Sequence, residues 1–277
     1  MGVARYAQNP HVTTTSHPLA ASIQAFYEPT PGYVGDVSTH PLAVEAARLM
    51  DAGFAPEVWT TEHRHRPYTE AALAELAALC RTVPLATTHT GIDDWDPAGL
   101  GREIAISARL GAKVHVIHCA ALSLDRGGTD WPAVRDLAAQ ARAGGLRLGL
   151  ENSGKFGINL IRRALDTLGD DPDSSGLGLC IDVGHAHRSR GFDGAGPADY
   201  LAEFSRAILE LHLHDNFGTD DLHLVPGEGS IDWTVLGPAL ARLPERAIFC
   251  IEIEYRGRPL EDLTAARQFV RQATGGD

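Results

Sequence analysis

The chain contains no uninterrupted apolar run of about 18 residues, so no membrane-spanning helix is expected. Its opening stretch, MGVARYAQNPHVTTTSHPLAAS, has no apolar core of the length that a secretory signal needs. Cysteine is scarce: there are four in 277 residues, and no two form a CxxC pair. Three of them (Cys119, Cys180, Cys250) lie within apolar strand-like runs. All four, Cys80 included, are expected to be small buried residues of a reducing, cytoplasmic protein rather than disulfides or metal ligands. Positive charge is short as well, 24 Lys and Arg against 36 Asp and Glu, for a net charge of −12. The basic footprint of a nucleic-acid binder is therefore missing, and a nucleic-acid partner is not expected. The tight arginine pairs are Arg64 with Arg66 and Arg188 with Arg190. No GxGxxG follows the first strand-like segment, which removes the usual dinucleotide site. No linker or low-complexity stretch divides the sequence. One domain over 1–277 is expected, with an N-terminal extension at 1–19 and a frayed tail at 274–277.

What is present is regular alternation. Short apolar runs at 21–27, 55–60, 83–89, 113–119, 147–152, 176–182, 208–214 and 247–254 read as strands. Helical patterns fall at 40–52, 68–81, 97–110, 129–143, 157–169, 197–206, 232–243 and 260–273. Several helix ends carry signals. Thr39 precedes His40-Pro41, Asp96 precedes Pro97, and Gly111 closes a helix before the next strand. Strict β-then-α order implies a parallel sheet, and eight units in a chain of this length imply an α/β fold of one (β/α)8 TIM barrel.

In such a barrel the active site lies at the C-terminal ends of the strands. Thirteen histidines already hint at metal chemistry. His89, His118, Glu151, Asp182 with His185, His212 with His214, and Glu252 with Glu254 all fall at strand ends or just beyond. Imidazoles and carboxylates without thiolates are the donors that divalent ions take. A carboxylate closing an apolar strand, as in LGLE, LCID and FCIE, is costly unless charge-paired or metal-bound. Several of them in one mouth repel one another unless a cation sits between them. Asp182 can alternatively serve only as the N-cap of a following helix, with Gly184 allowing a tight backbone path.

The segments LENSGKFG, LCIDVGHA, LHLHDN…DLHLVPGEGSIDW and FCIEIE, in this order, resemble the xylose isomerase-like TIM barrels. That superfamily holds sugar (phosphate) isomerases and epimerases, inosose dehydratases and endonuclease IV-type phosphodiesterases. The resemblance implies one divalent ion, Mn2+ or Mg2+ or Co2+, held by Glu151, Asp182, His212 and Glu252. It implies that His185 contacts substrate oxygens and that Glu151 and Glu252 are the catalytic acid/base pair. The expected reaction is isomerisation or epimerisation of a polyhydroxylated carbonyl compound through an enediolate. In the endonuclease IV branch three zinc ions occupy the same mouth, and His89, His118, Asp221 and His223 match the additional ligands. That branch gives the alternative, a multinuclear zinc phosphodiesterase. A non-catalytic sugar-binding barrel is the remaining class, and the presence of both strand-end glutamates counts against it.

The resemblance has gaps. The basic DNA-penetrating loops of the nuclease are missing, and so is the arginine that some ketose epimerases carry after strand seven. Strand parity leaves Glu254 as an alternative to Glu252, and His214 as an alternative to His212. Lys155, Arg188 and Trp59 are candidate contacts for a small-molecule substrate, as are Arg190, Trp95 and Trp233. Barrels of this kind often pair through their helices, so a homo-oligomer is an expectation.

Overall fold

The computed structural model describes residues 17–27, 41–61, 67–83 and 86–276. Most of the N-terminal extension, Thr39, His40, Arg64, Arg66 and part of the third expected strand lie outside these residues.

Eight parallel strands close into a barrel in sequence order. They are β1 (Leu19–Ser22), β2 (Ala55–Trp59), β3 (Thr87–His89), β4 (Val114–His118), β5 (Arg147–Glu151), β6 (Leu177–Asp182), β7 (Ile208–Leu213) and β8 (Ile248–Ile251). The pairing of β1 with β8 completes the ring, with Ala20 opposite Cys250. The helices are α1 (Leu42–Asp51), α2 (Glu70–Cys80), α3 (Pro97–Leu110), α4 (Trp131–Ala143), α5 (Asn159–Leu168), α6 (Pro172–Ser175), α7 (Val183–Asp193), α8 (Pro197–Phe204), α9 (Trp233–Leu240) and α10 (Pro259–Ala273).

Two expectations need correction. The first strand lies earlier than 21–27: it ends at Ser22, whose hydroxyl accepts the Gln24 N–H and turns Ile23–Phe26 into a 3-10 helix. Between β6 and β7 the chain forms two substantial helices, not one. The additional helix, α7, has almost no apolar stripe, so helical periodicity could not reveal it. The signals at α3 hold, with the Asp96 carboxylate capping through Gly99 N–H at 2.9 Å.

Period-2 alternation sorts each strand into two faces. Outward residues such as Ile117, Leu150, Ile181, Leu211 and Phe249 join the apolar stripes of the helices in a continuous core. Inward residues such as Ala20, Val114, Val116, Cys180, Ile248 and Cys250 fill the barrel. The same inward parity, continued to the strand ends, delivers His89, His118, Glu151, Asp182, His212 and Glu252 to the mouth. All four cysteines are buried and unpaired. Among the described residues no helix is long and apolar enough to cross a membrane.

Candidate metal centre

The six inward strand-end residues converge with His185, Asp221 and His223 at one mouth, beside a cavity of about 330 Å³. Glu151 is the hub. Its Oε1 lies 3.2 Å from His212 Nδ1 and 3.5 Å from His185 Nδ1. Its Oε2 faces the other way, 3.5 Å from His89 Nε2 and 3.4 Å from His118 Nε2. His212 Nδ1 also lies 3.0 Å from Glu252 Oε2 and 3.8 Å from Asp182 Oδ2. A third group sits above β6 and β7. There His185 Nε2 approaches Asp221 Oδ2 at 2.8 Å, and His223 Nε2 lies 3.7 Å from Asp221 Oδ1. Candidate donor sets thus form around His89–His118–Glu151, around Glu151–Asp182–His212–Glu252, and around Asp221–His223 with His214.

The outer nitrogens of four imidazoles are committed elsewhere. His89 Nδ1 donates to Thr90 O at 3.0 Å and His118 Nδ1 to Asp93 Oδ1 at 2.7 Å. His185 Nδ1 donates to Asn152 O at 2.9 Å, and His223 Nδ1 to Glu252 O at 3.0 Å. Those acceptors fix the tautomers, so in the neutral rings the inner nitrogens present lone pairs to carboxylate oxygens. Two acceptors facing each other repel unless a proton or a metal ion lies between them. Several of the separations exceed hydrogen-bond length. They match the roughly 3.3–3.5 Å between two donors that share one ion at 2.0–2.2 Å in tetrahedral geometry. The donor set therefore fits divalent ions, and it offers more than one position.

The electrostatics agree. Burial alone would raise the carboxyls of Glu151 and Glu252, yet the surrounding imidazoles, His212 foremost, hold both well below the ordinary range. Burial alone would lower His89, but Glu151 and its neighbours raise it to about 9. Asp221, opposed by burial and favoured by His185, falls to about 2. The carboxylates stay charged and demand positive charge in the mouth, which protons or metal ions can provide.

Asp182 caps the next helix and also turns toward the cluster. Its Oδ1 caps α7 through His185 N–H at 2.6 Å, while its Oδ2 faces His212. His214 is fully buried behind it and bonds both Asp182 oxygens through Nε2, at 2.9 and 3.0 Å. A Cβ on Gly184 would lie 2.0 Å from the His214 ring, so any side chain there must push that ring aside. Glu254 is exposed, whereas Glu252 is buried in the cluster.

Lys155, Arg188 and Trp59 line the cavity. Arg188 reaches Asp221 Oδ2 at 3.1 Å, and Trp59 packs 4.5 Å from the His89 ring. Arg190, Trp95 and Trp233 do not line it; Arg190 is exposed, Trp95 packs against the core, and Trp233 is buried with its indole N–H on Asp215.

Sequence reasoning passed over Asp93, Asn152, Glu57 and Glu210. Asn152 clamps β5 to β6 by exchanging hydrogen bonds with the Asp182 backbone. Glu57 and Glu210 are fully buried inside the barrel on β2 and β7, and burial together with the Glu57 charge pushes the Glu210 carboxyl well up. A glutamate in the middle of an apolar strand was the available signal for both.

The family profile described as xylose isomerase-like TIM barrel matches residues 44–273. The chain belongs to that family. Among solved structures, a D-tagatose 3-epimerase-like protein is 18% identical with a TM-score of 0.64, over 92% of this chain and 98% of that one. The TTHB071 protein from Thermus thermophilus, soaked with ZnCl2, is 24% identical with a TM-score of 0.60, over 93% and 98%. Endonuclease IV from the same organism is 17% identical with a TM-score of 0.56, over 83% and 94%. An uncharacterised protein of Methanocaldococcus jannaschii is 27% identical over 46% of this chain, a match that spans 42% of that relative's length. At these identities the solved structures share the barrel fold. Members of this family are typically enzymes, and both epimerases and an endonuclease stand among the structural neighbours.

Proposed function

We propose that this family member is a divalent-metal-dependent hydrolase of a small phosphate ester, with more than one ion at the barrel mouth. The observation that carries the reading is the two-sided Glu151, with one oxygen turned to His212 and the other to the His89–His118 pair. A one-ion isomerase needs only Glu151, Asp182, His212 and Glu252. Here the surplus imidazoles are also oriented by outer acceptors, as ligands are. Zinc suits the nitrogen and oxygen donors. Bound ions would neutralise charge growing on a phosphoryl group and promote ionisation of water.

The chain's own side chains have separate tasks. Glu151, Asp182, His212 and Glu252 form the central donor set, His89 and His118 extend it on one side, and His185, Asp221 and His223 on the other. Lys155 in the loop after β5 and Arg188 on α7 supply cationic donors to an anionic substrate. Buried Trp59 and exposed Phe156 flank the cavity. A cavity of about 330 Å³ suits a small molecule rather than a polymer.

Isomerisation or epimerisation of a polyhydroxylated carbonyl compound is the second reading. It is favoured by Glu151 and Glu252, which both line the cavity and both approach His212. They would move protons at adjacent carbons. Two assays separate the readings. Plasma mass spectrometry of the purified protein should find about two to three equivalents of metal for the hydrolase and about one for the isomerase. Release of nitrophenol from a phosphodiester, without deuterium wash-in beside a carbonyl, supports hydrolysis. The reverse result rejects it, and a metal-free protein rejects both.

A further inference from the structure

Beneath the donor set the barrel interior is not purely apolar. Glu57 on β2 and Glu210 on β7 are both 0% exposed, where branched apolar side chains usually fill such a barrel. Glu210 Oε1 accepts the Thr87 hydroxyl at 3.0 Å, and its Oε2 has no hydrogen-bond partner. Glu57 does more. Its Oε1 takes the Cys250 S–H at 3.6 Å, and its Oε2 takes the His212 Nε2–H at 3.1 Å. That second bond crosses the barrel from β2 to β7. It turns His212 Nδ1 toward Glu151, Glu252 and Asp182.

A hydroxyl or an amide carbonyl could fix the same tautomer without placing a second acid in the core. A carboxylate adds one thing those groups lack. It draws on the Nε2 proton, which makes the opposite nitrogen a stronger donor to a cation. A buried acid pair is expensive for the fold, because each carboxyl loses its water and neither has a full set of replacements. We infer that Glu57 is a positioning residue that holds His212 as its Nε2–H tautomer and strengthens Nδ1 as a metal ligand, at the expense of stability.

The inference rests on His212 being a ligand, and its test separates the two ideas. Zinc(II) is titrated into the chelator-stripped full chain in competition with a chromophoric chelator, and the metal-free proteins are melted in parallel. Glu57→Gln should bind zinc about 10- to 100-fold more weakly, while its metal-free form melts no lower than the parent. Glu210→Gln, which removes the other buried acid, should leave zinc affinity unchanged. Two-bond nitrogen–proton spectra should show His212 protonated at Nε2 in the parent chain. Unchanged affinity in Glu57→Gln overturns the inference. So does weaker binding accompanied by lower melting or loss of folding, since that is what a structural residue gives. Failure of the parent chain to bind zinc removes the metal reading itself.

Discussion

The loop between β7 and α9 carries Asp221 and His223 with almost no regular secondary structure, so something else must hold it. Asp215 does. The side chain is fully buried, and four N–H groups converge on its two oxygens. Asn216 N and Ile231 N donate to Oδ1 at 2.9 and 3.1 Å, and Gly227 N and Trp233 Nε1 donate to Oδ2 at 2.9 and 2.8 Å. The GEG turn wraps so closely that a Cβ on Gly229 would sit 2.3 Å from Asp215 Oδ1. Asp215→Ala leaves the buried Ile231 N–H and Trp233 Nε1–H without acceptors, while the exposed Gly227 N–H can turn to water. At about 1.5 kcal/mol each for bonds to a charged acceptor, the loss is about 3 kcal/mol. That is a large part of a domain's usual margin of about 5–15 kcal/mol. A chain of this length loses about 2 °C of melting temperature per kcal/mol, so the midpoint should fall by about 6 °C. Asp215→Asn should recover little, because its amide presents an NH2 where either Trp233 or Ile231 requires an acceptor. The assay is thermal unfolding of the metal-free protein by circular dichroism, with Trp233 fluorescence as a local reporter. A fall of less than about 2 °C, with indole emission unchanged, would refute the assignment of Asp215 as the loop's anchor.

Glu151→Gln should lower the metal content by more than one ion, because both donor sets lose charge with it; loss of a single equivalent by mass spectrometry argues for separate sites. Glu103 on α3 accepts Thr60 and Thr90 hydroxyls at 2.6 Å, and although burial opposes it, His115 and these donors bring its pKa down to about 2. Its contribution, roughly 3 kcal/mol, should be complete above about pH 4.5 and vanish as pH falls toward 2. The stability gap between the parent chain and Glu103→Gln, read from urea melts, should close over that window and not at higher pH. Gly184→Ala should cost about 1–3 kcal/mol through its collision with His214, and should weaken metal binding by displacing Asp182's partner; a melting temperature equal to the parent's would contradict this.

The barrel was legible because alternating strand and helix patterns are long-range and redundant. Eight repeats of one motif survive errors in any single boundary. β1 was misplaced because SIQAF reads as a strand by composition, while a local bond from Ser22 to Gln24 decides the conformation. Only the possible Asp182 cap hinted at α7, because no apolar stripe marks it: His185 and Arg188 line the mouth and Gly184 packs against His214. Function displaced the pattern by which helices are recognised.

The mouth was legible by a different rule. An acid or imidazole ending an apolar strand violates hydrophobic patterning, and the violation itself points to the site. Applied to strand ends, the rule found His89, His118, Glu151, Asp182, His212 and Glu252. Applied also to strand middles, it would have found Glu57 and Glu210, which are buried for the same reason one layer lower. The stretch LHLHDNFGTDDLHLVPGEG then separates by role. His212 faces the central donor set, His214 braces Asp182, and Asp215 ties the loop. Asp221 faces both His185 and His223. Spacing alone could not assign these roles, because adjacent histidines two residues apart share a strand face. What separates them is depth: His212 stands on β7 beneath the carboxylates, while His214 has passed the strand end and stacks 4.0 Å from His223. The sequence period tells which way a side chain points, and the closure of the barrel tells what it meets there.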